Sequence, residues 1–198
     1  YNLLIWTGAE YDIREYRNYW RAGKEQEEQN WMDDWWYDNP YFLANERTNQ
    51  RHQDLTNGSL DMSLDVTDWL KLVMRVGGDA FRNQFTLKEP ISTRGNRKGG
   101  FRLSNYSGYS TTDDFILLAN KKFGDFTIDG FLGGSIYFRE NDYQSSSTSN
   151  GLNMPGFFSL NASVDPASSS SSVTKEQINS LYGKIGLSWK SAVFVEVT

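Results

Sequence analysis

The sequence contains no cysteine and a single histidine, His52. Without cysteine there are no disulfide bonds and no thiolate metal sites, and a lone imidazole excludes histidine clusters. Motifs of the HExxH, phosphate-loop and GxSxG types are also absent, so we expect no enzyme, no cofactor and no metal. A glycosidase-like pair of carboxylates stays open on composition alone, although no acidic residue is singled out.

An excess of positive charge is also missing. The formal net charge is −5 and the pI is about 5.0, which argues against nucleic acid as a partner because phosphate binding needs a basic field. One basic cluster exists at Arg94, Arg97, Lys98 and Arg102. We interpret this cluster as part of a solvated loop.

Long apolar runs are absent as well, since no run approaches the roughly 20 residues of a membrane helix. The sequence starts at Tyr1 without the charged and apolar regions of a signal peptide. Two interpretations follow: the targeting segment has been removed, or the sequence is an internal piece of a longer protein.

Aromatic residues, by contrast, are abundant. They make up 15% of the chain, with seven Trp and eleven Tyr, although hydrophobic residues reach only 38%. Rings with a polar end are favoured at membrane–water interfaces and on carbohydrate-binding surfaces.

The clearest pattern along the chain is an alternation of apolar and polar residues with period two. In residues 58–66 the apolar set is Leu60, Met62, Leu64 and Val66, and the polar residues lie between them. Similar alternation occurs in residues 70–76, 126–140, 181–189 and 193–198. A β-strand separates such sets onto two faces, whereas a helix does not. Weaker strands are predicted around residues 3–16 and 115–123.

The predicted connections are of two kinds. Tight turns are expected at residues 67–68, 123–125 and 190–191, and long polar connections at residues 21–39, 89–100 and 143–174. The last of these contains two serine runs, residues 145–149 and 168–172, which we expect to be mobile and low in complexity. Alternating short and long connections are typical of an up-and-down barrel in an outer membrane.

We therefore predict an all-β fold, an antiparallel up-and-down transmembrane β-barrel of which residues 1–198 form only a part. The pattern gives about seven strands, whereas complete single-chain barrels have an even number from about 8 upward. An open strand edge in lipid leaves backbone groups unpaired, which is costly. Alternation alone also fits a soluble β-sandwich whose polar face meets water.

Two segments of this sequence resemble the SusC/RagA-type TonB-dependent transporters. Residues 39–79 contain an Asn-Pro-Tyr segment, then a strand, a turn with Asp-Trp-Leu and a strand that ends near Arg75 and Asp79. Residues 179–198 are similar to a family hairpin, with Lys184 where arginine is commoner, and residues 123–142 fit more loosely.

The resemblance implies a barrel of about 22 strands in the bacterial outer membrane, whose plug domain and remaining strands have no counterpart here. Such transporters import oligosaccharides, peptides or similar large nutrients without making or breaking a bond. A SusD-like surface lipoprotein covers the barrel, and the TonB–ExbB–ExbD complex acts through the plug.

Candidate contact residues fall into two groups. Trp31, Trp35, Trp36 and Tyr37 are predicted to contact the substrate or the lid protein; the alternative is an aromatic girdle or ordinary loop packing, and Tyr41 and Phe42 are assigned to the girdle. The predicted lumen-facing residues are Asp61, Asp65, Lys71, Arg75, Asp129 and Arg139. Their basic members either contact substrate or plug, or pair with the acidic members across strands. Asp33, Asp34 and Asp38 are interpreted as a solvated acidic loop rather than a calcium site.

Two other classes of protein stay open on the sequence. One is a soluble or cell-surface β-sandwich that binds carbohydrate. The other is a different outer-membrane barrel, such as a siderophore receptor or a porin. A sandwich buries its apolar face against a second sheet, whereas a barrel turns that face to lipid.

Overall fold

The computed structural model describes residues 11–32, 36–190 and 192–198 of the chain. Six β-strands account for most of them: β1 (Asn49–Thr67), β2 (Leu70–Glu89), β3 (Gly100–Phe123), β4 (Phe126–Leu152), β5 (Ser163–Trp189) and β6 (Val193–Val197). One short helix, α1 (Pro40–Asn45), precedes the strands, and 3₁₀ turns cover Ile13–Arg17 and Leu160–Ala162. No helix among these residues combines the length and hydropathy needed to cross a lipid bilayer.

The strands form one sheet in the order β1-β2-β3-β4-β5-β6, so that neighbours in the sequence are neighbours in the sheet. In the antiparallel pair β5–β6, Ile185 lies opposite Val197 and Gly186 opposite Glu196. Opposite residues share a face, so the apolar and polar sets of these two strands stay separate. The prediction of an all-β, up-and-down antiparallel sheet is confirmed.

The predicted alternation of short and long connections is also confirmed. Two residues join β1 to β2 and β3 to β4, and three join β5 to β6, whereas ten residues separate β2 from β3 and ten separate β4 from β5. At the β3–β4 turn, Gly124 has a φ of 59°, which a residue without a side chain adopts readily. All three tight turns therefore lie at one end of the sheet and both long connections at the other.

The described residues contain six strands, one fewer than the predicted count of about seven. The other predicted strand is the one around residues 3–16. Its first part, residues 3–10, lies outside the described residues, and Ile13–Arg17 is a 3₁₀ turn. Asp12 caps this turn by accepting hydrogen bonds from the side chain and the backbone N–H of Arg14. These bonds lower the pKa of Asp12 to about 2.

The long mobile connection predicted for residues 143–174 was also wrong. Both serine runs lie within strands, residues 145–149 in β4 and residues 168–172 in β5. Serine hydroxyls join neighbouring strands here: Ser104 Oγ and Ser145 Oγ are 2.8 Å apart, and Ser146 Oγ and Ser169 Oγ are 2.9 Å apart. The backbone supplies the ladder of hydrogen bonds whatever the side chains, so low complexity did not prevent strand formation.

The chain divides into two compact units. The loop unit comprises the described residues up to Gln53 together with Asn83–Tyr106 and Tyr143–Ser172, and it contains both long connections. The turn unit comprises Asp54–Arg82, Ser107–Asp142 and Val173–Thr198, and it contains the three tight turns.

The loop unit has a small core around α1. Phe42 is fully buried and contacts the ring of Trp20 edge-on, with 5.1 Å between the ring centroids. The assignment of Phe42 to a membrane girdle was therefore wrong, since its ring is enclosed by protein. Glu46, which caps the other end of the helix, accepts hydrogen bonds from the Tyr19 hydroxyl and the Trp20 indole. Burial of the Tyr19 hydroxyl raises its pKa, and the hydrogen bond to Glu46 raises it further.

Candidate functional site

One face of β1 and β2 in the turn unit carries paired charges. Arg75 Nε lies 3.2 Å from Asp61 Oδ1, and Lys71 Nζ lies 3.4 Å from Asp65 Oδ1. All four residues hold odd positions, so the pairs place them on the same face, which we call the polar face. Of the two interpretations that the sequence left open for Lys71 and Arg75, the structure shows the cross-strand pairing.

The polar face continues on β4, β5 and β6. Lys184 forms an ion pair with Glu196 at 2.5 Å on the neighbouring strand. Asp129 of β4 lies close to β5, since a Cβ built on Gly186 meets its Oδ1 at 2.8 Å. Arg139 also lies on β4, on the same parity as Asp129. The predicted lumen-facing residues therefore occupy alternate positions of their strands, as expected for one face.

These exposed ion pairs are expected to contribute little to stability. Both Asp61 and Arg75 keep more than half of their side-chain surface in water, where solvent screens the attraction. A double-mutant cycle of Asp61→Asn and Arg75→Gln should give a coupling free energy below about 1 kcal/mol. Unfolding in detergent at low and high salt measures this coupling, and a value of several kcal/mol would contradict the exposed geometry.

The opposite face of the sheet is apolar and uncovered. Leu60 and Leu64 of β1 are 58% and 62% exposed, and Leu132 of β4 is 57% exposed. Others on this face are also exposed: Met62, Val66, Val76, Ile128, Ile136, Ile185, Leu187 and Val195. Among the described residues no second layer covers these side chains. Contiguous exposed apolar surface of this extent marks contact with a membrane or another protein.

Aromatic residues and lysines cluster next to the tight turns. Lys121 Nζ lies 4.6 Å from the ring centroid of Trp69 and 5.1 Å from that of Phe123. At the β5–β6 turn, Lys190 Nζ lies 5.2 Å from the ring centroid of Trp189. Such pairs suit a membrane interface, where a ring meets the headgroups and an ammonium reaches water. The sequence analysis missed this cluster. The signal was available, because each predicted tight turn has an aromatic residue and a lysine close to it.

The predicted aromatic contact segment is only partly presented to solvent. Trp36 is 70% exposed, whereas Trp31 is 8% exposed and packs edge-on against Tyr16 and Tyr37. Trp35 lies outside the described residues. Of the predicted contact residues that the structure describes, Trp36 alone offers an open ring face, so the contact prediction now concerns this side chain first.

A buried polar network holds this segment in the loop unit. The Asn39 side chain donates to the carbonyls of Tyr16 and Asn30, and its Oδ1 accepts from the backbone N–H of Tyr41 at 2.8 Å. Asn39 is fully buried, so its hydrogen bonds replace those that water would make. It also caps α1, which begins at Pro40.

Gln29 and Asp38 extend the network to the β2–β3 connection. Gln29 Nε2 donates both to Asp38 Oδ1 and to the carbonyl of Ser92, each at 2.8 Å. Asp38 Oδ1 also accepts from the backbone N–H of Arg94. The Asp38 carboxylate is buried and has a structural role, so the solvated acidic loop does not include it. Asp33 and Asp34 lie outside the described residues.

Metal ligands are not grouped in the part of the chain that the structure describes. No set of three or more His, Cys, Asp or Glu side chains there is arranged to hold an ion. The carboxylates of the polar face are instead paired with lysine or arginine or spaced along the strands, as in the pair of Asp65 with Lys71.

A regular antiparallel sheet with one apolar uncovered face and one charged face is the architecture of a barrel wall. No protein-family model matches the sequence, and no curated protein matches it. Solved structures do share the fold. A structure of the RagAB peptide transporter matches 80% of this chain with a TM-score of 0.64 and 16% sequence identity.

A second structure, the RagAB peptide importer in its closed-closed state, matches 80% of this chain with a TM-score of 0.60 and 16% identity. The chain spans 18% of the length of the transporter chains that it matches. At this identity the likeness shows the fold alone: the matched part of this chain folds like part of those transporter structures.

Proposed function

We propose that this chain is part of the barrel wall of an outer-membrane transporter. The observation that supports this most directly is the uncovered apolar face opposite a face of paired charges. A soluble sandwich would bury the first face against a second sheet. Lipid covers it in a barrel, and the charges then line a wet lumen.

We further propose a SusC/RagA-type TonB-dependent transporter that imports oligosaccharides, peptides or similar large nutrients. The likeness of fold to the RagAB peptide transporter supports this class. Residues 1–198 would form a barrel segment, with the plug and the remaining strands elsewhere in the same protein. The transporter would act without changing a covalent bond in its cargo.

The proposed partners follow from this class. A SusD-like surface lipoprotein would cover the end of the barrel that carries the long connections, and TonB–ExbB–ExbD would act through the plug at the end with the tight turns. Outer-membrane lipid would contact the apolar face, and no nucleic acid takes part.

Fractionation of cells that make the whole protein tests its location. We expect it in the outer-membrane fraction, released by detergent and not by high salt or alkaline washing. Recovery in the soluble fraction would contradict the barrel and favour a sandwich. Co-purification of a lipoprotein of the SusD type would support the narrower class over a porin.

Trp36 is the proposed contact for cargo or for the lid protein. Trp36→Ala should weaken binding roughly tenfold, about 1.4 kcal/mol, because an exposed indole offers a large stacking surface. Titration of the purified protein with its cargo or lipoprotein measures this change, while barrel assembly should stay normal.

The matched control is Phe126→Ala, since Phe126 is also an exposed ring, 46% accessible, but starts β4 beside a tight turn, at the end of the sheet away from the long connections. It should leave binding unchanged. If Trp36→Ala prevented assembly instead, the ring would have a packing or girdle role.

A further inference from the structure

The loop unit contains a cavity of about 340 Å³ between the β2–β3 connection and the end of β4. We call it the loop cavity. Its charged lining comprises Arg97, Lys98 and Arg102 against a single carboxylate, Glu89. The basic cluster that the sequence suggested to be a solvated loop therefore contributes most of its charged side chains to a concave surface.

The single carboxylate of the lining is already satisfied. Glu89 Oε1 accepts from the Arg47 guanidinium at 2.8 Å, and Glu89 Oε2 accepts from the Asn96 amide at 2.9 Å. Arg47 does not belong to the lining, so it balances the carboxylate from outside. The charge left for an occupant of the cavity is positive.

Two basic side chains have donors available for that occupant. Lys98 Nζ donates one hydrogen bond to Asn150 Oδ1 at 2.6 Å, which leaves two of its three N–H groups. Arg102 is exposed and makes no ion pair within the described ranges. Its planar guanidinium offers paired donors that match the geometry of carboxylate or phosphate.

The walls of the cavity are fixed by hydrogen bonds that join residues 98–101 to the end of β4. The backbone N–H of Leu152 donates to the carbonyl of Lys98 at 2.9 Å, and that of Phe101 donates to Thr148 Oγ1 at 2.9 Å. Gly151, with a φ of 101°, permits the close approach, since a Cβ there would collide with the Lys98 side chain. The basic groups are therefore held by a preformed frame rather than by a free loop.

We propose that the loop cavity binds an oxyanion, a carboxylate or a phosphate, with Lys98 and Arg102 as its charged donors. The oxyanion has two possible sources: an acidic group on a solute, or a phosphate group such as that of a lipid headgroup. This inference goes beyond the proposed transport role, because it adds an anion-binding site in the loop unit. The site can be tested on the purified protein without measuring uptake.

Isothermal titration of the whole protein in detergent at low salt tests this inference with three probes. They are inorganic phosphate, trialanine with a free carboxylate, and the C-terminal amide of trialanine. We expect binding of phosphate, of the free acid or of both, and none of the amide. Phosphate alone assigns the site to a phosphate group, the free acid alone assigns it to a carboxylate solute, and binding of both assigns it to oxyanions generally.

Variants distinguish binding at the loop cavity from a general effect of the protein's positively charged side chains. Lys98→Gln combined with Arg102→Gln should weaken binding roughly tenfold or more, because two charge-assisted donors are lost. Arg82→Gln removes an exposed charge outside the cavity and should change nothing. Lys98→Arg keeps the charge and should retain binding, and equal melting temperatures confirm that the variants are folded.

Absence of binding by phosphate and by the free acid would overturn the inference. So would unchanged affinity in the folded double variant, or an equal loss in Arg82→Gln. None of these results would move the protein out of the outer-membrane fraction, so failure here is distinct from failure of the proposed function.

Discussion

Replacing Leu72 with arginine is expected to destabilise the folded sheet in lipid by about 1–3 kcal/mol, between the cost of a charge at the bilayer midplane and the smaller cost near the interface. Leu72 lies midway along the apolar set of residues 70–76 in β2. A guanidinium there would enter the hydrocarbon on the lipid side of the sheet. Equilibrium unfolding of the whole protein in lipid vesicles measures this difference, and the folded fraction in membranes gives a second readout.

Val73→Arg is the matched control. Val73 is the next residue of the same strand, so it faces the opposite side, between Lys71 and Arg75. A new charge there meets water and nearby carboxylates, and we expect a cost well below that at Leu72. Equal costs at the two positions would mean that both faces of β2 contact the same medium, whereas a barrel wall has lipid on one face and water on the other.

Replacing Asn39 with alanine is expected to destabilise residues 11–48 locally by about 2–4 kcal/mol. The change removes three hydrogen bonds and leaves the carbonyls of Tyr16 and Asn30 and the N–H of Tyr41 without their partner. These bonds are only part-buried, so each group left unpaired costs about 1 kcal/mol, the low end of the range for buried groups, and the bond to Tyr41 is itself the helix cap. Amide hydrogen exchange of this segment is the measurement, because the opening is local and the strands stay folded.

Asn45→Ala provides the comparison in the same helix. The Asn45 side chain is exposed and makes one hydrogen bond, to the carbonyl of Tyr41. Water replaces this bond in the variant, so exchange in residues 11–48 should be nearly unchanged. Equal acceleration of exchange in both variants would show that the buried network does not hold the segment.

The strands were predictable because their signal is local. Side chains alternate between two faces in any strand, so Leu60, Met62 and Leu64 could be assigned to one face from their spacing alone. The tight turns followed from the same pattern, because each one interrupts the alternation. Cross-strand pairing of Lys71 was one of two interpretations left open, and the sequence did not say which acidic residue it would meet; the turn between β1 and β2 sets the register that brings it to Asp65.

The rest depended on contacts distant in the sequence. Gln29 meets Ser92, and Asn39 meets Tyr16; no spacing rule links such residues. The burial of Phe42 depends on Trp20, which lies 22 residues earlier, and the sequence pattern does not show this contact. Phe42 was therefore assigned to the membrane interface. The serine runs were taken for a loop because composition was weighed above the backbone pairing of β4 and β5.

The central claim is that the apolar face of the sheet meets lipid. Residues 1–198 contain no cysteine, so single cysteines at residues 61–64 of β1, placed in the whole protein with any other cysteine replaced, can carry a fluorescent label in vesicles with brominated lipid. We expect strong quenching at Met62 and Leu64 and weak quenching at Asp61 and Ser63. Uniform quenching, or its absence at all four positions, would contradict the barrel wall.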